Sequence, residues 1–164
     1  MNAIIVYATK TGTTRKCAEI LSKKLNGVKT VDLSIEEPDI KNFDIVIVAG
    51  SIRMGLLHKD TKRFIAKNKE ILQNKKAFYF ICNCITEKLQ EIIKNNFPKE
   101  IIESAEAIDT FGGEINIDKV KGIDKFITKM VIKSYEAKNV KKPEILMDNI
   151  ESFSDKIFRC NAKE

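Results

Sequence analysis

The chain has 164 residues, 43% hydrophobic and 32% charged, which is long enough for one buried core and too apolar for a disordered chain. Its formal net charge of +6 admits nucleic acid or an anionic membrane as partner. Only four of its 29 basic residues are arginine, so solvated lysine faces are expected and no nucleic acid is.

Residues 2–7 are apolar without alternation, as in a strand covered on both faces. A threonine-rich turn follows, then a helix over 13–25 with Cys17, Ala18, Leu21 and Leu25 on one stripe and Asn26-Gly27 as its stop. Strands are expected over 28–33 and 44–49, with an irregular loop over 50–57 and a helix over 60–72. A fourth strand covers 76–81, a helix 87–97 stops before Pro98, a fifth strand covers 105–110, and a last helix runs over 147–158. Alternation of apolar strands with helices predicts an α/β protein: a doubly wound, five-stranded parallel sheet with helices on both faces. Ligands then sit beyond the carboxyl ends of the strands. One domain over 1–164 is expected, with an insertion at 116–142 before the last helix.

No basic stretch precedes the first apolar run, and no run reaches spanning length, so a cytoplasmic protein is expected. Four scattered cysteines and a single histidine predict free thiols and no metal site.

The turn reads Thr9-Lys10-Thr11-Gly12-Thr13-Thr14. A turn from strand to helix collects free backbone N–H groups and the positive end of the helix dipole, which suits an anion. Thr9, Thr11 and Thr14 add hydroxyl donors, and Gly12 lets the backbone approach a phosphate. The competing account is one capping threonine among surface filler. Neither the dinucleotide glycine fingerprint nor the P-loop pattern is present, which argues against a nucleoside triphosphate.

These six residues resemble the [ST]-x-[ST]-G-x-[ST] phosphate loop of flavodoxins, which hold flavin mononucleotide (FMN). The resemblance implies a flavodoxin-like sheet of order 2-1-3-4-5 with FMN at its carboxyl edge. It places the flavin ring between Gly50 to Gly55 (Ser51, Ile52, Arg53, Met54, Gly55) and Asn83, Cys84 and Ile85, with Phe111, Gly112 and Gly113 behind. Short-chain flavodoxins usually put aromatic residues in the first two of these loops, and this chain has none there, which implies an open ring face. Arg53, if about 6 Å from the reduced ring, would favour its anion by roughly 3 kcal/mol at an effective dielectric of 20, before screening.

The stretch GSIRMGLLHKDTKRFI resembles the oxygen-independent protoporphyrinogen oxidases, flavodoxin-like enzymes that pass electrons to a quinone. Gly50, Arg53, Gly55, His58, Lys59, Phe64 and Ile65 carry the likeness, with Phe111 to Ile115 after strand five. It implies a flavoprotein whose partners are a reduced substrate and a quinone or redox protein. No side chain stands out as acid, base or nucleophile, so the catalytic residue is unassigned. The alternative is a soluble one-electron carrier; a third reading is a nucleic-acid binder without flavin.

The insertion holds eight lysines against three acids. Lys121, Lys125, Lys129 and Lys133 recur every fourth residue, opposite Ile123, Phe126, Ile127, Met130 and Ser134, which makes a basic amphipathic helix. Such a helix packs its apolar stripe on the protein, faces an acidic partner, or lies on anionic lipid, the last implying peripheral contact at the inner face of a membrane.

Overall fold

All six residues of β1 (Ala3–Ala8) are buried, because this strand lies between two others and has a helical layer on each face. The computed structural model describes residues 1–115, 117–137 and 141–162. β1 pairs in parallel with β2 (Lys29–Asp32) on one side and β3 (Ile45–Arg53) on the other. Beyond β3 come a two-residue β4 (Leu56–Leu57), β5 (Lys76–Cys82) and β6 (Ala107–Thr110). The main sheet has the order β2-β1-β3-β5-β6, entirely parallel, and β4 pairs with β3 off this path. The expected five-stranded order is therefore present, with one added hairpin strand.

Side chains that alternate along the strands divide the core. Ile4, Val6, Val48, Tyr79 and Ile81 meet one helical layer, while Ile5, Tyr7, Ile47, Phe78 and Phe80 meet the other. On the second face lie α1 (Thr13–Lys24), through Cys17, Ala18 and Leu21, and the last helix, Met147–Asn161, through Ile150, Phe153 and Ile157. The first face is covered by α2 (Lys59–Lys67), α3 (Lys69–Gln73), α4 (Leu89–Asn96) and α5 (Lys99–Ser104). The single helix expected over 60–72 is divided at Asn68, which ends α2 and begins α3. α5 was not expected; it starts after Pro98 and is held by the fully buried Ile101.

The expected loop over 50–57 is instead a hairpin. β3 runs on to Arg53, Met54 and Gly55 turn at φ 50° and 77°, and Ile52 and Arg53 pair with Leu57 and Leu56. Two consecutive positive φ values are what a two-residue hairpin turn requires. Buried Asn96 fastens it to α4, accepting from the Leu57 N–H at 2.8 Å and donating to the Gly55 carbonyl at 2.8 Å.

After β6 the chain forms a 3-10 turn (Ile117–Lys119) and α6 (Gly122–Ala137), and the last helix is α7 (Met147–Asn161). The predicted apolar stripe of α6 does not face the protein as a unit: Ile123, Phe126 and Met130 are 79%, 65% and 59% exposed. The inward arc is Ile127, Thr128, Ile132 and Tyr135, all half-buried. Asn116 and Lys138, which belonged to the expected insertion, lie outside the described residues. No described helix is long and apolar enough to cross a membrane, and no metal-binding cluster occurs among the described residues.

Candidate functional site

The segments after β1, β3, β5 and β6 converge at the carboxyl edge of the sheet, since parallel strands deliver all their exits to one side. In the first of them Gly12 is the N-cap of α1, at φ 90°, and no side chain caps the helix. Thr9 Oγ1 accepts the Gly12 N–H at 3.0 Å and so shapes the turn. The first backbone bond of α1 is Lys16 N–H to the Gly12 carbonyl at 3.0 Å, which leaves the amides of Thr13, Thr14 and Arg15 without an intrahelical acceptor. Thr14 is fully buried, and its hydroxyl makes no hydrogen bond of ordinary geometry. Its polar company is the Cys82 thiol, whose pKa it pulls down against larger upward effects from Cys17 and burial. A buried, unbonded hydroxyl in a turn with open amides and a glycine fits a phosphate ester, and the absence of any side-chain cap does not fit a turn whose threonines only cap.

Beside the turn lies a cavity of about 570 Å³. Lys10, Thr11 and Thr13 line one end, and the β3–β4 hairpin lines a side with Ser51, Ile52, Arg53, Met54 and Gly55. Asn83, Cys84, Ile85 and Gly113 complete the sequence-predicted part of the wall. Thr9, Gly12 and Thr14 belong to the turn but do not line the cavity. Phe111 and Gly112 also stay off its wall. Phe111 is fully buried, stacked on Phe80 at 4.1 Å and edge-on to Phe153 at 5.2 Å, so it belongs to the core under the site. Gly112, at φ 69°, lies where a Cβ would be 2.3 Å from the Glu144 carbonyl oxygen, so it joins this segment to the approach to α7.

A buried polar network sets these loops. Thr110 Oγ1 donates to Asn83 Oδ1 and accepts the Gly112 N–H at 3.1 Å, while the Asn83 N–H reaches the Gly112 carbonyl at 2.8 Å. Asn83 Nδ2 donates to the Ile85 carbonyl at 2.6 Å, fixing the loop that carries Cys84. Gly113 admits that loop, since a Cβ there would be 3.0 Å from the Asn83 carbonyl carbon and 3.1 Å from Cys84 Sγ.

The insertion supplies a wall that sequence reasoning did not assign: buried Val120, with Ile127, Thr128, Val131 and Tyr135. Chain order was the available signal, because a segment that leaves β6 begins at the carboxyl edge and starts over the site. Tyr135 is the one aromatic among the described lining residues. Partial burial raises its pKa, with Cys84 and Glu87 adding to the shift. Apolar surroundings push the Cys84 thiol up as well, so neither Cys82 nor Cys84 is a ready thiolate. At the other end of the turn, Arg15 pairs with Asp32 at 2.8 Å and donates to the Tyr7 hydroxyl at 3.1 Å. Burial raises the Asp32 pKa, but hydrogen bonds from Ser34 and Arg15 outweigh it and leave the carboxyl below its usual range.

A parallel sheet with a threonine-glycine turn after its first strand and a cavity at the adjoining loops defines a flavodoxin-like α/β domain. Residues 4–142 match the flavodoxin domain, and the chain belongs to that family, whose members bind FMN. It is 22% identical, over 94% of its own length and 92% of the relative's, to protoporphyrinogen IX dehydrogenase [quinone] of Escherichia coli K12. Among solved structures it is similar to a Lactobacillus acidophilus flavoprotein crystallised with FMN, with a TM-score of 0.53, 12% identity, and 66% and 92% of the two chains covered. An NADH:FMN oxidoreductase in its apo form gives a TM-score of 0.52 at 14% identity, covering 68% of this chain and 74% of that one.

The residues present fit FMN. Thr9 to Thr14 offer open amides and hydroxyls to its phosphate, and the cavity between the hairpin and the Asn83–Ile85 loop offers a largely apolar slot to its ring.

Proposed function

We propose that this flavodoxin-family protein is a protoporphyrinogen-oxidase-like flavoprotein that moves electrons from a reduced substrate to a quinone-type acceptor. Bound FMN supplies the hydride and electron chemistry. The chain anchors the phosphate through Thr11, Thr13 and Thr14, presents the ring between Ile52–Met54 and Cys84–Ile85, and sets the local field through Arg53.

One observation carries this reading above a pure carrier. The cavity has no aromatic lid from the ring loops, and its outer wall is apolar surface of the insertion, Ile127, Val131 and Tyr135. That arrangement leaves room for a flat organic donor against the ring, where a carrier needs only an exposed edge. The likeness to the quinone-linked dehydrogenase of Escherichia coli over 94% of the chain supports the same direction.

The outer arc of α6 supports a lipid-facing role, since Ile123, Phe126 and Met130 are exposed between Lys121, Lys125, Lys129 and Lys133. Such a face would bring the site to a membrane-held quinone at the inner leaflet, with the weak, salt-sensitive binding expected of a single helix.

The test is anaerobic: reduce the FMN-loaded protein with protoporphyrinogen IX, then add menaquinone. Bleaching and recovery of the flavin absorbance on successive additions is the expected result. A flavin that ignores both reagents while exchanging single electrons with a redox protein overturns the enzyme reading in favour of the one-electron carrier. The lysine-rich surface of the insertion favours that second reading, because it suits docking of an acidic partner.

A further inference from the structure

The insertion also reaches the phosphate end of the site. A Cβ built on Gly12 would lie 3.1 Å from Lys119 Nζ, so a cation from the 3-10 turn before α6 stands against the glycine of the phosphate loop. The next residue, Val120, is 6% exposed and lines the cavity, which pins this turn to the body of the protein. Of the nearby cations, Lys16 in α1 pairs with Glu114 at 2.7 Å, and Lys10 of the loop has a partner of its own. Among the described residues the Lys119 side chain makes no ion pair or hydrogen bond. Thr14, two residues on from Gly12, buries a hydroxyl that makes no hydrogen bond of ordinary geometry and has the Cys82 thiol as its polar neighbour.

We infer that Lys119 is the phosphate-selecting cation of the flavin site, and that through it phosphate occupancy fastens the insertion over the cavity. The inference rests on the FMN assignment. An ammonium beside a dianionic ester binds as a mobile point charge, which suits a residue on an inserted segment better than an arginine fork would. Two residues separate α6 from the turn that carries Lys119, so a fixed turn holds the start of the helix whose Ile127, Val131 and Tyr135 wall the cavity. Binding that orders a segment and a segment that completes a binding site are one linkage seen from two ends. Riboflavin, which has the ring without the phosphate, should enter the cavity and leave the insertion loose.

Quenching titrations with FMN and with riboflavin test this on the full chain, using Lys119→Met, Lys119→Arg and Lys23→Met. Lys23, in the last turn of α1, removes the same charge about 15 Å from the loop at 1.5 Å per helical residue. Lys119→Met is expected to raise the FMN dissociation constant about tenfold, equivalent to about 1.4 kcal/mol, and to leave riboflavin within about twofold. Lys119→Arg and Lys23→Met should stay within about threefold of the parent for FMN. Amide hydrogen exchange over 117–137 should slow more with FMN than with riboflavin, and that difference should vanish in Lys119→Met. The inference is overturned if Lys119→Met weakens both flavins alike or neither, or if the two flavins protect 117–137 equally. Failure of the parent protein to bind either flavin would instead bring down the cofactor assignment.

Discussion

Replacing Thr14 with valine should change stability and cofactor affinity in opposite directions. The hydroxyl is buried and makes no hydrogen bond of ordinary geometry, so the protein without cofactor bears a desolvated polar group of the kind that costs about 1–3 kcal/mol. Valine keeps the β-branched shape and removes that cost, so the flavin-free protein should gain about 1 kcal/mol once imperfect repacking beside Cys82 is allowed for. A hydroxyl that donates to a charged phosphate contributes about 1.5–3 kcal/mol, so the same substitution should raise the FMN dissociation constant by roughly 10- to 150-fold. Urea unfolding of the flavin-free protein gives the first quantity and a flavin fluorescence titration the second. If valine lowers the stability of the flavin-free protein and leaves FMN affinity unchanged, the hydroxyl is bonded within the protein and the argument from its orphaned state is wrong.

Other substitutions test separate parts of the site. Gly112→Ala should cost more than about 2 kcal/mol, because left-handed strain of about 1–2 kcal/mol is joined by collision with the Glu144 carbonyl, whereas Gly55→Ala, equally left-handed but in open space, should cost only the strain; equal losses in thermal melts would refute the role of the close approach. Arg53→Gln should lower the reduction potential of the bound flavin by some tens of millivolts, a screened fraction of the roughly 100 mV that corresponds to about 3 kcal/mol for one electron, and a potentiometric titration showing no change would mean that its charge is spent on other groups. Asp32 has a folded pKa below the ordinary 3.8, so the unfolded chain takes up this proton first; the stability it contributes is complete above that value and is lost as pH falls through the folded pKa. Melting midpoints between pH 5 and pH 2 should fall less steeply for Asp32→Asn, and parallel curves would show that the pair with Arg15 contributes nothing.

The parallel sheet was legible because its signals are local. Ile4 to Tyr7, Ile45 to Ala49 and Ala77 to Ile81 are apolar at every position, which only a strand buried on both faces requires. The threonine turn was legible for the same reason, since its residues act within one turn of chain. The hairpin at Ile52–Leu57 was hidden by Met54, a residue that rarely takes a positive φ and gives no turn signal of the kind Asn-Gly does.

Amino-acid order alone determined the sheet, the α1 stripe and the strand-to-helix turn at Thr9–Thr14, because each depends on periodicity or on neighbours a few residues apart. Packing decided the rest. Phe111 looked like a ring neighbour until its stacking on Phe80 and its edge-on contact with Phe153 put it in the core. α6 carries two apolar arcs, Ile123–Phe126–Met130 and Ile127–Val131–Tyr135, and a helical wheel ranks neither first. Which arc covers the cavity depends on where β6 releases the chain and where Val120 and Lys119 come to rest. These are contacts between residues far apart in sequence, and no local pattern encodes them.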